Sequence, residues 1–266
     1  MKNINDITRA ECENVRGVLF DIDDTFTLEG KLIPQAFSAL WKLHEQGLIL
    51  VPITGRPAGW CDHIARMWPV DGVIGENGAF YYYYDHNKHK LSHRHIFSAE
   101  DVAGKRQELE FIKDEILRKI PGAGVASDQP FRIFDLAIDF REDVSPLSEA
   151  DIEEICRIFK RHGAEYKVSS IHVNGWFGGY NKLSTTRLFL EERLSIPWDE
   201  AVHTFIFVGD SPNDEPMFQA MNLTVGVANI RHFSSKMKSL PRYVTNKSGG
   251  LGFAEMADKI LEHRIK

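Results

Sequence analysis

Three carboxylates and a hydroxyl follow an apolar run at Gly17-Val18-Leu19-Phe20-Asp21-Ile22-Asp23-Asp24-Thr25. The run reads as a buried strand, and a fold tolerates acids where such a strand leaves its core. Side chains alternate along an extended chain, so Asp21 and Asp23 share one side while Asp24 takes the other. Two neighbouring carboxylates suit phosphoryl transfer, in which one attacks phosphorus as a nucleophile. The other handles protons, first for the leaving oxygen and then for water. Two anions side by side need a cation, and a hard metal with oxygen ligands, such as Mg2+, would supply it. The rival reading is structural, because Asp and Thr after a strand commonly cap a helix or build a turn. The motif therefore needs partners elsewhere in the chain.

Partners are present, and the elements around them predict how they meet. Leu48 to Ile53 is a second apolar run that delivers Thr54-Gly55-Arg56, and Phe205 to Val208 is another that delivers Gly209-Asp210-Ser211-Pro212-Asn213-Asp214. Lys182 opens a helix with Leu183, Leu190 and Leu194 on one side. A helix from Pro34 to Gly47, a second from Trp60 to Trp68 and a short strand at Gly72-Val73-Ile74-Gly75 fill the first half. Strands alternating with helices at these intervals predict a doubly wound parallel sheet of the α/β class, with the binding site beyond the strands' carboxyl ends.

From Phe80 the pattern changes. Tyr81 to Tyr84 and Leu91 to Ile96 read as a hairpin, 99–120 as a long charged helix and 131–140 as a partial strand. A second amphipathic helix, 147–161, precedes strands at 165–168 and 170–173. This block, 83–178, reads as a smaller α+β domain inserted between residues 1–82 and 179–266 of the main domain, with Gly178-Gly179 as a hinge. The parallel pattern then resumes with a helix at 215–221, strands near 223–227 and 243–244, and a helix at 252–263.

In this order, Asp21-x-Asp23-x-Thr25, Ile53-Thr54-Gly55-Arg56, Asn181-Lys182 and Gly209-Asp210-Ser211-x-Asn213-Asp214 resemble the motifs of the haloacid dehalogenase-like (HAD) phosphatase superfamily. The insert between the second and third motifs resembles the class II, subfamily B cap of the Cof-like sugar-phosphate phosphatases. The resemblance implies a Rossmann-like HAD core with an inserted α+β cap that chooses the substrate. It makes Asp21 the nucleophile that forms an aspartyl-phosphate and Asp23 the general acid and then base, roles the charge argument reaches separately. Thr54 would hydrogen-bond a phosphate oxygen, Lys182 would neutralise the phosphoryl group and Asp21, and Gly55 and Asn213 would complete the phosphate's surroundings. Asp210 would bind Mg2+ beside Asp21 and the backbone carbonyl of Asp23; with no His or Cys in the motifs, Mg2+ is favoured over zinc.

Asp214 has two compatible readings, as part of the metal's surroundings and as the reciprocal acid of a helix start capped by Ser211. One position departs from the family pattern: Asp24 stands where glycine is common, and a positive φ there suits Asp less well than Gly.

Composition sets bounds on these readings. The 266 residues can bury a full core, and 43% hydrophobic with 26% charged is an ordinary globular balance. A net charge of -6 argues against nucleic acid as a partner. Cys12, Cys61 and Cys156 form neither a disulfide framework nor a Cys-x-x-Cys site, and no stretch is long and apolar enough to span a bilayer. A cytoplasmic protein without a membrane partner is expected.

Gly249-Gly250-Leu251-Gly252 reads as a tight turn before the last helix rather than a nucleotide loop, and His86, His89, His93 and His95 as a solvated hairpin. Glu76, Asn77, Arg132, His172 and Asn174 are candidates to contact the substrate. The expected activity is Mg2+-dependent hydrolysis of a small phosphorylated metabolite, most simply a sugar phosphate. A phosphomannomutase-like sugar phosphomutase, a mannosyl-3-phosphoglycerate phosphatase and a non-catalytic binding protein are the alternatives.

Overall fold

The computed structural model describes residues 1–264. In chain order the elements are β1 (Lys2–Asn3), α1 (Arg9–Asn14), β2 (Gly17–Phe20), α2 (Pro34–Glu45), β3 (Ile49–Pro52), α3 (Ala58–Met67) and β4 (Val73–Gly75). The hairpin β5 (Phe80–Asp85) and β6 (Lys90–His95) follows, then α4 (Ala99–Lys119), β7 (Gly124–Val125), β8 (Leu136–Asp139), α5 (Glu149–Arg161), β9 (Glu165–Val168) and β10 (His172–Trp176). The chain closes with α6 (Lys182–Leu194), α7 (Trp198–Thr204), β11 (Phe205–Gly209), α8 (Glu215–Ala220), β12 (Leu223–Gly226), β13 (Tyr243–Val244) and α9 (Gly249–Glu262).

The main sheet runs β1-β13-β12-β11-β2-β3, with every pair parallel. Helices cover both faces, which is why β2, β11 and β12 are buried throughout rather than on alternate residues. One face buries Val18, Phe20 and Val208 with Leu40 of α2 and Phe253 and Ile260 of α9. The other buries Leu19, Phe205 and Phe207 with Phe189 of α6 and Met217 of α8. The ladder runs on past β2, where the Asp21 amide donates to the Val208 carbonyl at 3.0 Å and the Ile53 amide to the Phe20 carbonyl at 2.7 Å. Asp21 is thus fixed at the carboxyl edge of the sheet, between the loops that follow β3 and β11.

Two smaller sheets accompany it. β4 meets the main sheet through one parallel bridge, Ile53 to Ile74, and then pairs antiparallel with β5, which pairs with β6. The hairpin, read from sequence as the start of the insert, therefore extends β4. The insert has its own antiparallel sheet, β7-β8-β10-β9, whose Leu136, Ile138 and Val173 pack with Ile112 and Ile116 of α4 and Ile155, Ile158 and Phe159 of α5.

Where sequence and structure differ, local hydrogen bonding explains it. The strand expected over 131–140 shrinks to Leu136–Asp139, because Gln129–Phe131 forms a 3-10 turn and the backbone of residues 133–135 is drawn onto the Glu76 carboxylate. β1, α1 and α7 are additions, and α1 carries a readable start in the reciprocal Thr8 and Glu11 capping box. The glycines at 249–252 form the first turn of α9 itself, where the Gly250 amide donates to the Thr27 carbonyl at 2.9 Å.

Gly78 decides how α6 meets the core. Its φ is +109°, a Cβ there would lie 2.3 Å from the Asn181 carbonyl oxygen, and its own carbonyl accepts from Thr185 Oγ1 at 2.5 Å. Gly78→Ala is expected to destabilise the fold by about 2–3 kcal/mol through strain and displacement of the start of α6. Urea unfolding of the two proteins measures the difference, and an unchanged midpoint would show that this close approach is dispensable.

Candidate active site

The first, third and fourth motifs converge. Asn181 caps α6, accepting from the Ser184 amide at 2.9 Å, which sets Lys182 at the first helical position. Lys182 Nζ donates to Asp21 Oδ1 at 2.7 Å and to Asp214 Oδ1 at 2.8 Å. The other oxygen of Asp214 accepts from the Asp210 amide at 3.0 Å and the Ser211 amide at 3.4 Å, so this residue ties down its own turn and grips the ammonium at once. Asp210 accepts from Thr25 Oγ1 at 3.2 Å and from Asn229 Nδ2 at 3.1 Å.

Asp21, Asp210 and Asp214 are all buried and each brings one oxygen within 4.8 Å of the others. Burial and neighbouring acids push Asp21 up to about 8 despite Lys182, and burial with Asp214 and Asp21 pushes Asp210 well above the carboxylate range. Burial works against the charge on Lys182, yet Asp21 and Asp214 hold it protonated. Ionised together, three carboxylates against one ammonium would leave an excess of buried negative charge, which is costly unless a cation joins them. The donor set is oxygen only and hard, which fits Mg2+.

The carboxylate of Asp23 stands apart from this group, so the part the resemblance gives Asp23 around a metal belongs to its backbone carbonyl. Arg56 Nε donates to both of its oxygens, at 3.0 and 3.1 Å. Asp24 has φ +57°, the strained conformation foreseen for a position where glycine is common. Its carbonyl accepts from Asn229 Nδ2 at 3.0 Å, and its amide donates to Thr27 Oγ1 at 3.0 Å. These bonds hold the turn in place of glycine's freedom.

Asp21, Asp23, Gly55 and Asn213 line a cavity of about 20 Å³ that the insert closes with Arg132, His172 and Asn174. That is room for about one water. Thr54 is fully buried beside it, with Oγ1 accepting from the Arg56 amide at 3.0 Å. Asn213 Oδ1 accepts from Ser211 Oγ at 2.8 Å. Arg132 reaches the cavity wall, but its guanidinium is shared among Asp128 at 2.9 Å, Asp135 at 3.0 Å and the Gly55 carbonyl at 2.9 Å. Asn174 donates to Asp135 at 2.8 Å, and His172 Nε2 lies 3.0 Å from Glu142 Oε2.

Glu76 and Asn77 are placed differently from the substrate-facing position read from sequence. Glu76 is fully buried, and its carboxylate takes the backbone amides of Ala58, Ile133, Phe134 and Asp135. Neither residue lines the cavity. Burial, with Asp135 adding to it, pushes Glu76 up to about 7.

Sequence reasoning missed Asp128, Glu142 and Asn229. No local pattern marks them, since each acts on a residue far along the chain: Asp128 and Glu142 on Arg56, and Asn229 on Asp24 and Asp210.

Residues 18–112 match the family model described as haloacid dehalogenase-like hydrolase. No curated protein sequence matches the chain. Among solved structures, Thermoplasma acidophilum 0175 is similar at 20% identity and a TM-score of 0.70, covering 93% of this chain and 98% of the other. BT1666 from Bacteroides thetaiotaomicron, described as a phosphatase of the HAD superfamily, matches at 19% identity and a TM-score of 0.62, covering 97% and 98%. The sucrose-phosphatase of Synechocystis sp. PCC6803, solved with sucrose and phosphate, matches at 16% identity and a TM-score of 0.62, covering 92% and 98%. Residues 18–112 are thus similar to the haloacid dehalogenase-like hydrolases, and the chain as a whole shares the fold of these solved structures.

Glu142 ties the insert to this site, and its acidity gives a measurable signature. His172 beside it and Arg56 hold its carboxyl down at about 2, against partial burial. A carboxyl held below its unfolded value adds stability that is complete above about pH 4.5 and fades as pH falls toward 2. The stability gap between the wild type and Glu142→Gln is therefore expected to be constant near neutrality and to close over that acid range. Urea midpoints measured from pH 7 down to pH 3 follow the gap, and one that widens on acidification contradicts the assignment.

Proposed function

We propose that the protein is a Mg2+-dependent phosphatase that hydrolyses a small phosphorylated metabolite, a sugar phosphate, in the cytoplasm, through an aspartyl-phosphate on Asp21. The observation that carries the reading is Lys182 Nζ, held between Asp21 and Asp214 inside a buried group of three carboxylates. That arrangement keeps a nucleophilic carboxylate beside a fixed positive charge, at a place where charge on transferring phosphoryl oxygens is stabilised. Similarity to a fold that includes a sucrose-phosphatase and a trehalose-6-phosphate phosphatase related protein supports the substrate class.

In this mechanism Asp21 attacks phosphorus in line and Lys182 holds both the carboxylate and the incoming phosphoryl oxygens. Thr54, Gly55 and Asn213 surround the phosphate. Asp23 gives its proton to the leaving alkoxide and then takes one from the water that cleaves the acyl-phosphate. Asp21, Asp210, Asp214 and the Asp23 carbonyl would hold the divalent ion, which supplies neutralising charge when bound. The insert keeps bulk water from the reacting atoms, which strengthens each of these interactions.

Purified protein is expected to release inorganic phosphate from sugar phosphates with Mg2+ present and to lose that activity in EDTA. Asp21→Asn is expected to lower kcat/KM by at least about 1,000-fold while leaving the fold intact by circular dichroism. Phosphate release that persists in Asp21→Asn, or that ignores chelation, rejects the mechanism. Isomerised sugar phosphate without free phosphate would instead identify a mutase.

A further inference from the structure

Arg56 is bound on two sides at once. On the core side Nε meets both oxygens of Asp23, and Nη2 lies 2.9 Å from Oδ1 of the same carboxylate. On the insert side Nη2 donates to Glu142 Oε1 at 2.9 Å and Nη1 to Asp128 Oδ2 at 3.4 Å. Arg56 is 5% exposed, and its Cζ lies over the Trp60 ring, 4.3 Å from the centre. A guanidinium so held has little freedom, and a bidentate carboxylate beside it inherits its plane.

The two insert acids are themselves anchored. Asp128 also binds Arg132, which reaches the Gly55 carbonyl, and Glu142 lies against His172. Neither acid touches Asp21, Asp210, Asp214 or Lys182 through any hydrogen bond found among the described residues. Glu142 reaches Asp23 through Arg56, and Asp128 does the same besides reaching Gly55 through Arg132.

We infer that Glu142 and Asp128 are positioning residues that act through Arg56 to aim the Asp23 carboxyl at the leaving oxygen, so that proton donation is assembled only with the insert seated. The inference rests on the phosphatase reading and adds the groups that tune one step of it. Carboxylates that merely fastened insert to core could sit anywhere along their contact, as the exposed Lys236 and Glu149 pair does at 2.9 Å. These two converge on the one arginine that also grips the proton donor.

The test exploits the leaving group. An aryl ester such as p-nitrophenyl phosphate departs with little need of a proton, whereas an alkyl ester such as glucose 6-phosphate needs one. In Glu142→Gln, kcat/KM for the alkyl ester is expected to fall about tenfold or more and that for the aryl ester less than about threefold. Arg56→Lys, which keeps charge and loses the fork, is expected to show the same asymmetry more strongly. In an Asp23→Asn background, Glu142→Gln is expected to have no further effect on the alkyl ester. Glu149→Gln, which breaks the exposed pair, is expected to leave both rates within about twofold.

Equal falls on both esters in Glu142→Gln and Arg56→Lys, or additive losses with Asp23→Asn, overturn the inference and leave the phosphatase reading standing. A wild type that releases phosphate from neither ester overturns both.

Discussion

A single buried ammonium between two acids is the constraint that organises this molecule. Lys182 must lie within 2.8 Å of both Asp21 and Asp214, although the three come from the ends of β2 and β11 and the start of α6. Isolating any one of these charges in a dry interior would cost several kcal/mol, so the groups are stable there only as a set. The parallel ladder of β2 and β11 fixes the two acid-bearing loops side by side, and the Asn181 cap with the Gly78 contact fixes the helix that brings the amine. The rest of the core serves that alignment.

The same logic reaches the insert. Its sheet and helices have their own apolar interior, and at the junction Phe134 and Trp176 pack on Ile22, Ala58 and Phe80 beside a set of polar contacts. Glu76 gathers backbone amides, Arg132 meets the Gly55 carbonyl, and Arg56 joins Asp23 to Asp128 and Glu142. Polar contacts of this kind are directional, and they set the insert in one register over the cavity.

Much of this was legible in the sequence because strands and reactive groups leave local marks. Apolar runs ending in Asp21, Thr54 and Asp210 gave the parallel sheet and its working edge, and Ser211 with Asp214 marked a turn that the structure shows tied to Lys182. Asp24 was legible as a strained position from the resemblance, which puts glycine there. What stayed hidden depends on distant pairing. Nothing near Glu76 says that it captures the amides of 133–135, so an acid at a strand end reads as facing solvent or substrate. Nothing near Glu142 says that it meets Arg56, 86 residues earlier in the chain. The sheet membership of β5 was likewise set by its antiparallel partner β4 and not by its own tyrosines.

The capture of residues 133–135 by Glu76 also governs how room can be made for anything larger than a water. With those amides bonded to a fully buried carboxylate, and Arg132 bonded to Gly55, this margin of the insert is stitched to the core. A second margin, Ser169 to His172, meets the cavity with two serines, Ile171 and His172, and the hydrogen bonds of Ser169 Oγ stay within that segment. Of the two margins the stitched one carries the directional bonds to the core, so the serine lip offers the lesser resistance to anything larger than a water.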